Sequence, residues 1–213
     1  MTRLRIRRRD PLVGIALGSD ELVAVIPGER APRRWPLAPP GPGEAISPDL
    51  GGALGALRAG LRTGSVRHTL AVALLPALAE MRMVELPGVD ADDAARVLSR
   101  AASRYFPVAD GMPFDIAVEG TGARHRSPFI AIATRRGVLD AIALAARANG
   151  FAVARLTSAY SAWAAAASDG GVEDGKSVAL RLADRVELVQ LRAGRVAAVR
   201  RLPVAAEASV ARA

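Results

Sequence analysis

The chain has no cysteine, which excludes disulfides, thiol catalysis and cysteine zinc sites and fits a reducing compartment. Aromatic residues are scarce, at 4%, while hydrophobic residues make up 51%, so any core must be built from Ala, Val, Leu and Ile. There are two histidines, His68 and His125, with no carboxylate pair beside either, so no metal spacing is present. Lys176 is the sole lysine; every other basic residue is arginine. No apolar run approaches the ~20 residues that span a bilayer. Leu12–Leu17 is too short and too glycine-broken for a signal-peptide core, so a cytoplasmic location is expected. There is no Gly-x-Ser-x-Gly elbow and no Ser/His/Asp set.

What remains is a basic chain of 213 residues with a net charge of +8, long enough for one or two domains. The arginines are spread along it, and only Arg3, Arg5, Arg7, Arg8 and Arg9 form a cluster. That cluster reads first as a solvated basic tail, with contact to anionic lipid as the functional alternative. Nucleic acid is disfavoured, because no stacking aromatics accompany the charge.

The spacing of apolar residues predicts strands at Leu12–Leu17 and Glu21–Ile26, joined by the Gly18-Ser19-Asp20 turn. Arg33–Leu37 is expected to pair as a third strand, and Ala38–Gly43 is a Pro/Gly loop. A helix is expected over Pro48–Arg62, capped by Ser47, with Leu50, Leu54, Leu57 and Leu61 on one face. Its interior glycines Gly51, Gly52 and Gly55 are tolerable only where the helix packs closely on a sheet. His68–Leu75 is a buried strand, with His68 as a core or strand-end residue.

Met81–Leu156 is the most ordered text, a βαββαβ pattern. Asp90 caps its first helix, with Asp92 and Asp93 in the first turn, and Val97, Leu98, Ala101, Ala102 and Tyr105 form the buried face. Pro107 stops that helix. Strands are expected at Phe114–Val118 and Phe129–Ala133, then a helix at Val138–Ala148 with Leu139, Ile142, Ala143 and Ala146 inward. Asn149-Gly150 ends it, and Phe151–Leu156 is the next strand. Ser158–Ala167 is an alanine-rich helix whose Tyr160 and Trp163 read as core, or as a packing face for a partner helix. Ser168–Gly175 is a Gly/Asp linker, followed by strands at Ser177–Leu182, Val186–Leu191 and Arg195–Leu202.

In this order the segments resemble the actin-like (ribonuclease H-like) ATPase fold. The chain is similar to the type IV pilus assembly protein PilM, to FtsA, and to the cytoplasmic domain of GspL of type II secretion. The residues that carry the resemblance are Arg82–Pro87, Ala101–Pro107, Phe129–Ala133 with Arg136–Leu139, and Ala148–Ala167. It implies an α/β fold: a first actin-like lobe over 10–80 and 151–168, an inserted βαββ subdomain over 81–150, a linker at 169–175, and a partial second lobe over 176–213.

The resemblance also implies two phosphate hairpins similar to Asp-x-Gly, whose acid helps hold Mg²⁺. In the first, Gly14, Gly18 and Ser19 remain but Ala16 occupies the acidic position. In the second, Arg181 stands at the acidic position and Ala183 at the glycine, with Asp184 beyond. Neither alanine nor arginine supplies the hard oxygen that Mg²⁺ needs. A non-catalytic scaffold is therefore expected, without cofactor or metal, peripheral to the inner membrane. It would dock a membrane-anchored PilN-like partner. PilM-like proteins hold the partner's peptide in a groove between the inserted subdomain and the first lobe. Here that groove is expected to involve Leu12, Ile15, Val23, Val25, Met83 and Val84. The alternative is an active actin-like ATP-binding protein with non-standard phosphate loops.

Overall fold

Alternation of apolar and small residues builds the first sheet. In β1 (Leu12–Leu17), Val13, Ile15 and Leu17 are buried, while Leu12, Gly14 and Ala16 take the opposite face. In β2 (Glu21–Val25), Leu22 and Ala24 are buried in the same way. The two pair antiparallel, with Gly14 opposite Val25 and Ala16 opposite Val23. The computed structural model describes residues 11–61, 68–76, 78–106, 113–119, 129–171, 175–181, 186–192 and 195–202. Arg3–Arg9, His125, Ala183 and Asp184 lie outside the described residues.

The short edge strand β3 (Arg33–Pro36) pairs antiparallel with β2. A charged, proline-ended edge of this kind resists further pairing. β4 (His68–Leu74) lies parallel to β1, and β8 (Phe151–Ser158) completes the order β3-β2-β1-β4-β8. A parallel neighbour requires a crossover, here carried by α1 (Leu50–Gly60), which buries Leu50, Ala53, Leu54 and Leu57. The helix starts two residues later than expected. Ser47 still acts at its entry, where its Oγ accepts the Asp49 N–H (3.2 Å). Asp49 in turn accepts the Ala38 N–H at Oδ2 (2.9 Å), which ties the Pro/Gly loop to the helix.

The second sheet, β5-β7-β6, comprises β5 (Glu80–Val84), β6 (Phe114–Glu119) and β7 (Phe129–Arg135), all antiparallel. One face packs Val84, Ala131 and Ala133 against Leu98 and Phe106, with Tyr105, Phe114, Ile116 and Val118 around them. Leu98 comes from α2 (Ala91–Arg100). Asp90 caps that helix as expected, its Oδ1 accepting the Asp93 N–H at 2.8 Å. The single helix expected to run on to Tyr105 is instead broken at Ala101, and α3 (Ala102–Tyr105) follows. Just before the break Ser99 Oγ donates to the Ala95 carbonyl (2.7 Å), a back-bond that bends helices. The expected buried face changes accordingly: Val97 is 40% exposed and Ala94 is fully buried.

α4 (Arg136–Ala148) follows β7 without a loop. It buries Val138, Ile142 and Ala146, whereas Ala143, expected inward, is exposed. Gly150 (φ +73) takes the left-handed conformation after Asn149, as expected of a C-cap pair. Asn149 Nδ2 donates both to its own helix at Ala145 O (2.9 Å) and to Gly51 O of α1 (3.0 Å). A Cβ on Gly55 would lie 3.1 Å from Asn149 Oδ1, so this glycine serves the close approach of two helices rather than of a helix and a sheet. Gly51 and Gly52 face open space and nothing in the structure requires them.

The chain divides into two compact units, 1–157 and 158–213. Everything above belongs to the first. The second holds α5 (Ala159–Asp169) and the meander β9 (Ser177–Arg181), β10 (Val186–Arg192), β11 (Arg195–Leu202), ordered β11-β10-β9. The division precedes the 169–175 stretch because α5 packs on β11. Ala159, Tyr160 and Ala164 are buried there with Val186, Val189, Leu191 and Val196. Tyr160 OH donates to Glu187 Oε2 at 2.6 Å, and Trp163 stands edge-on to the Tyr160 ring at 5.5 Å.

Candidate functional site

The first hairpin is held closed by its backbone: the Gly18 N–H donates to the Glu21 carbonyl (2.9 Å). A Cβ on Gly18 would lie 3.0 Å from Leu75 Cδ1 and 3.3 Å from Asp20 Oδ1, so a larger residue in the turn would have to push these two side chains aside. Ala16 points away from the core, across from Val23, and brings no oxygen to that face. Of the second hairpin, Arg181 ends β9.

Ser19 at the hairpin tip opens onto a cavity of about 180 Å³. Loops from the first sheet supply one wall. The turn after β4 brings Pro76, Leu78 and Ala79, with the Leu78 and Ala79 N–H groups both donating to Leu75 O (2.8 and 3.1 Å). The Pro/Gly loop brings Pro40, Glu44 and Ala45. Glu44 orders that loop, because its Oε2 accepts the Gly41 N–H at 2.7 Å. The inserted module supplies the facing wall: Glu80, Phe106, Phe114 and Ala133. Thr134, Arg135 and Val138 close the end where β7 enters α4.

Two local features set this geometry. A Cβ on Gly137 would approach Ala45 Cβ to 3.1 Å, so glycine lets the Pro/Gly loop lie against the start of α4. Arg136 anchors the edge strand β6. Its backbone N–H donates to Pro113 O (2.9 Å) and its Nη2 and Nε donate to Asp115 (2.6 and 3.3 Å). The hydrogen bonds to Asp115 also raise the Arg136 pKa above its ordinary value.

Glu80 is the unusual group. Arg82 donates twice to one of its oxygens, Oε1, from Nε (2.9 Å) and Nη2 (2.6 Å). The other oxygen, Oε2, is buried and accepts no hydrogen bond. With Phe106, Phe114, Leu78 and Val138 in its lining, the cavity presents apolar surface on which a segment of another chain can lie.

The residues expected to hold a partner do not converge on this cavity. Leu12, Val23 and Val25 share the outer face of the first sheet, and Leu12 and Val25 are exposed. Ile15 and Val84 are buried in two separate cores, and Met83 is exposed on β5. Glu44, Glu80, Phe106, Phe114 and Thr134 were not expected as site residues; Ser19 was, for a phosphate hairpin, and the Ala101–Pro107, Phe129–Ala133 and Arg136–Leu139 segments each contribute to the lining. His68 is buried as expected, with Arg58 Nη1 2.5 Å from its Nδ1 and the Phe151 ring edge-on at 6.5 Å. Among the described residues no group of His, Cys, Asp or Glu could hold a metal ion, and no helix is long and apolar enough to cross a membrane.

No family model and no curated protein matches this sequence. Solved structures do. The PilM–PilN type IV pilus biogenesis complex superposes with a TM-score of 0.64 at 19% identity, covering 90% of this chain and 61% of that one. The cytoplasmic domain of EpsL, an inner membrane component of the type II secretion system of Vibrio cholerae, gives 0.54 at 14% identity, covering 95% and 75%. A Bacteroides thetaiotaomicron protein described as having the actin-like ATPase fold gives 0.52 at 9% identity, covering 91% and 70%. The chain has the actin-like ATPase fold. The β3-β2-β1-β4-β8 sheet is its first lobe and β5-β7-β6 the sheet set between β4 and β8. This chain spans about three fifths of the PilM–PilN chain it matches, 61%.

Proposed function

We propose that this chain is a scaffold component of a type IV pilus or type II secretion assembly platform. It works on the cytoplasmic side of the inner membrane and docks a membrane-anchored, PilN-like partner without hydrolysing ATP. The observation that carries this reading is the cavity between the first-lobe loops and the inserted module, with its apolar lining. Its position agrees with the groove that the resemblance to PilM implies. The fold likeness to a PilM–PilN complex and to an inner-membrane secretion component supports the same assignment. Ala16, where an acid is needed for Mg²⁺, supports the absence of hydrolysis.

The docking is tested by pull-down with the cytoplasmic N-terminal segment of a single-span, PilN-like protein from the same genome. Val138→Arg, which places a charge on the cavity wall, is expected to weaken capture at least about tenfold. Unchanged capture removes the cavity from the function. Titration calorimetry with Mg-ATP tests the rest: micromolar binding overturns the nucleotide-free scaffold and favours an ATP-binding protein with non-standard loops.

A further inference from the structure

The cavity lies beyond one end of β1, beside Ser19, and the other end of the strand has a different character. There Leu12 is 49% exposed and Val25 is 60% exposed, on the outer face of the first sheet. Gly14 pairs with Val25, which makes Leu12 and Val25 diagonal neighbours with no side chain between them. The turn that follows Val25 carries the exposed Arg30, which has no ion-pair partner among the described residues, while Glu29 in the same turn is taken by Arg33. In the sequence, the strand is entered from Arg3-Leu4-Arg5-Ile6-Arg7-Arg8-Arg9, with Asp10 as the sole acid before it. Arg9 is three residues from Leu12 and Arg3 is nine, so chain length alone holds the five charges within roughly 10 to 32 Å of the exposed pair.

Exposed apolar side chains beside a concentration of guanidinium groups match a surface that is anionic outside and apolar beneath. A leaflet rich in anionic lipid is such a surface. Each arginine near it gains attraction, and stable attachment generally takes two signals, such as a basic patch together with an apolar contact. A nucleic acid offers the charge without the apolar layer. We propose that this end of the first sheet is a lipid-contacting surface, where the five arginines and Arg30 meet anionic headgroups and Leu12 and Val25 enter the interface. The five steps of β1 from Leu12 to Leu17 put roughly 17 Å between this surface and the cavity end, so both can be occupied at once.

Sedimentation with sucrose-loaded vesicles tests it in the absence of any partner. Vesicles of equal parts phosphatidylglycerol and phosphatidylcholine are expected to bind the chain at least about a hundredfold more tightly than pure phosphatidylcholine, a preference that falls with added salt. Changing Arg3, Arg5, Arg7, Arg8 and Arg9 to glutamine is expected to remove it. The double variant L12T/V25T leaves every charge in place and keeps strand-forming residues, and is expected to weaken binding to the anionic vesicles about tenfold. Electrostatics alone would not respond to it. An unchanged thermal midpoint shows that a variant is folded, and the two vesicle types give an answer on the unaltered chain. Equal binding to both vesicle types, a preference that survives the arginine changes, or L12T/V25T binding like the unaltered chain overturns the proposal. So does duplex DNA that binds more tightly than the vesicles at the same salt and is indifferent to L12T/V25T. Capture of the PilN-like segment is read without vesicles, so failure of either result leaves the other standing.

Discussion

Two carboxylates, one in each unit, have been buried in opposite ways. Glu187 on β10 is fully buried and receives the Tyr160 hydroxyl at 2.6 Å. Glu80 at the start of β5 takes both bonds from Arg82 on one oxygen and leaves the other buried and unmet. Burying a charge without partners is costly, so folding normally pairs such groups or excludes them. Glu187 is paired from within its own unit, between a strand and the helix that covers it, and reads as a structural tie. Glu80 is paired only locally, by the half-exposed Arg82 two residues along the same strand.

The difference breaks most visibly at Tyr160. Tyr160→Phe keeps the ring, its packing and its edge-on contact with Trp163, and removes one hydrogen bond to a charged acceptor. A loss of about 2–3 kcal/mol in the stability of the second unit is expected. Denaturant unfolding followed by Trp163 fluorescence measures it. A loss below about 0.5 kcal/mol would mean that Glu187 does not depend on Tyr160, and the contrast with Glu80 would collapse.

Glu187 also shows what the sequence carried. In Val186–Arg192 it has the same parity as Val189 and Leu191, both buried, so alternation already put it inward. The first sheet was legible for the same reason, with Gly18 marking the turn. Asp90 and Asn149-Gly150 announced helix ends by local chemistry that requires no tertiary contact. Val97 is exposed because it stands about 100° around the helix from Leu98, at the edge of the face that Ala94, Leu98 and Ala102 bury, so its apolar character outweighed its position. The cavity was illegible as a unit. Ser19, Glu44, Glu80, Phe106, Phe114 and Val138 come from six separate segments with no shared period or motif. The exposed apolar residues Leu12 and Val25 were easier to single out, and they lie elsewhere.

An exposed carboxylate gives an intermediate point. Asp90 accepts one backbone N–H, from Asp93, at the start of α2, and is exposed. Asp90→Ala is expected to destabilise the first unit by about 1 kcal/mol through the lost cap. Asp90→Asn should recover most of that, because a cap needs an acceptor and only secondarily a charge. Both are read as shifts in urea midpoint at constant slope. If asparagine is no better than alanine, the charge matters more than the hydrogen bond.

The smallest effect on stability is expected at Glu80. Glu80→Gln keeps the volume and one acceptor, and weakens a pair with the half-exposed Arg82. Pairs of that exposure contribute about 0–1 kcal/mol. The substitution also removes the charge from an oxygen that has no partner in the folded chain. These two changes oppose each other, so the unfolding midpoint should move by less than about 1 kcal/mol in either direction. A loss of 2 kcal/mol or more would place Glu80 with Glu187 as a structural acid. Near-neutral stability separates the two acids, because a carboxylate whose pairing holds its unit together cannot lose its charge while leaving the unfolding midpoint in place.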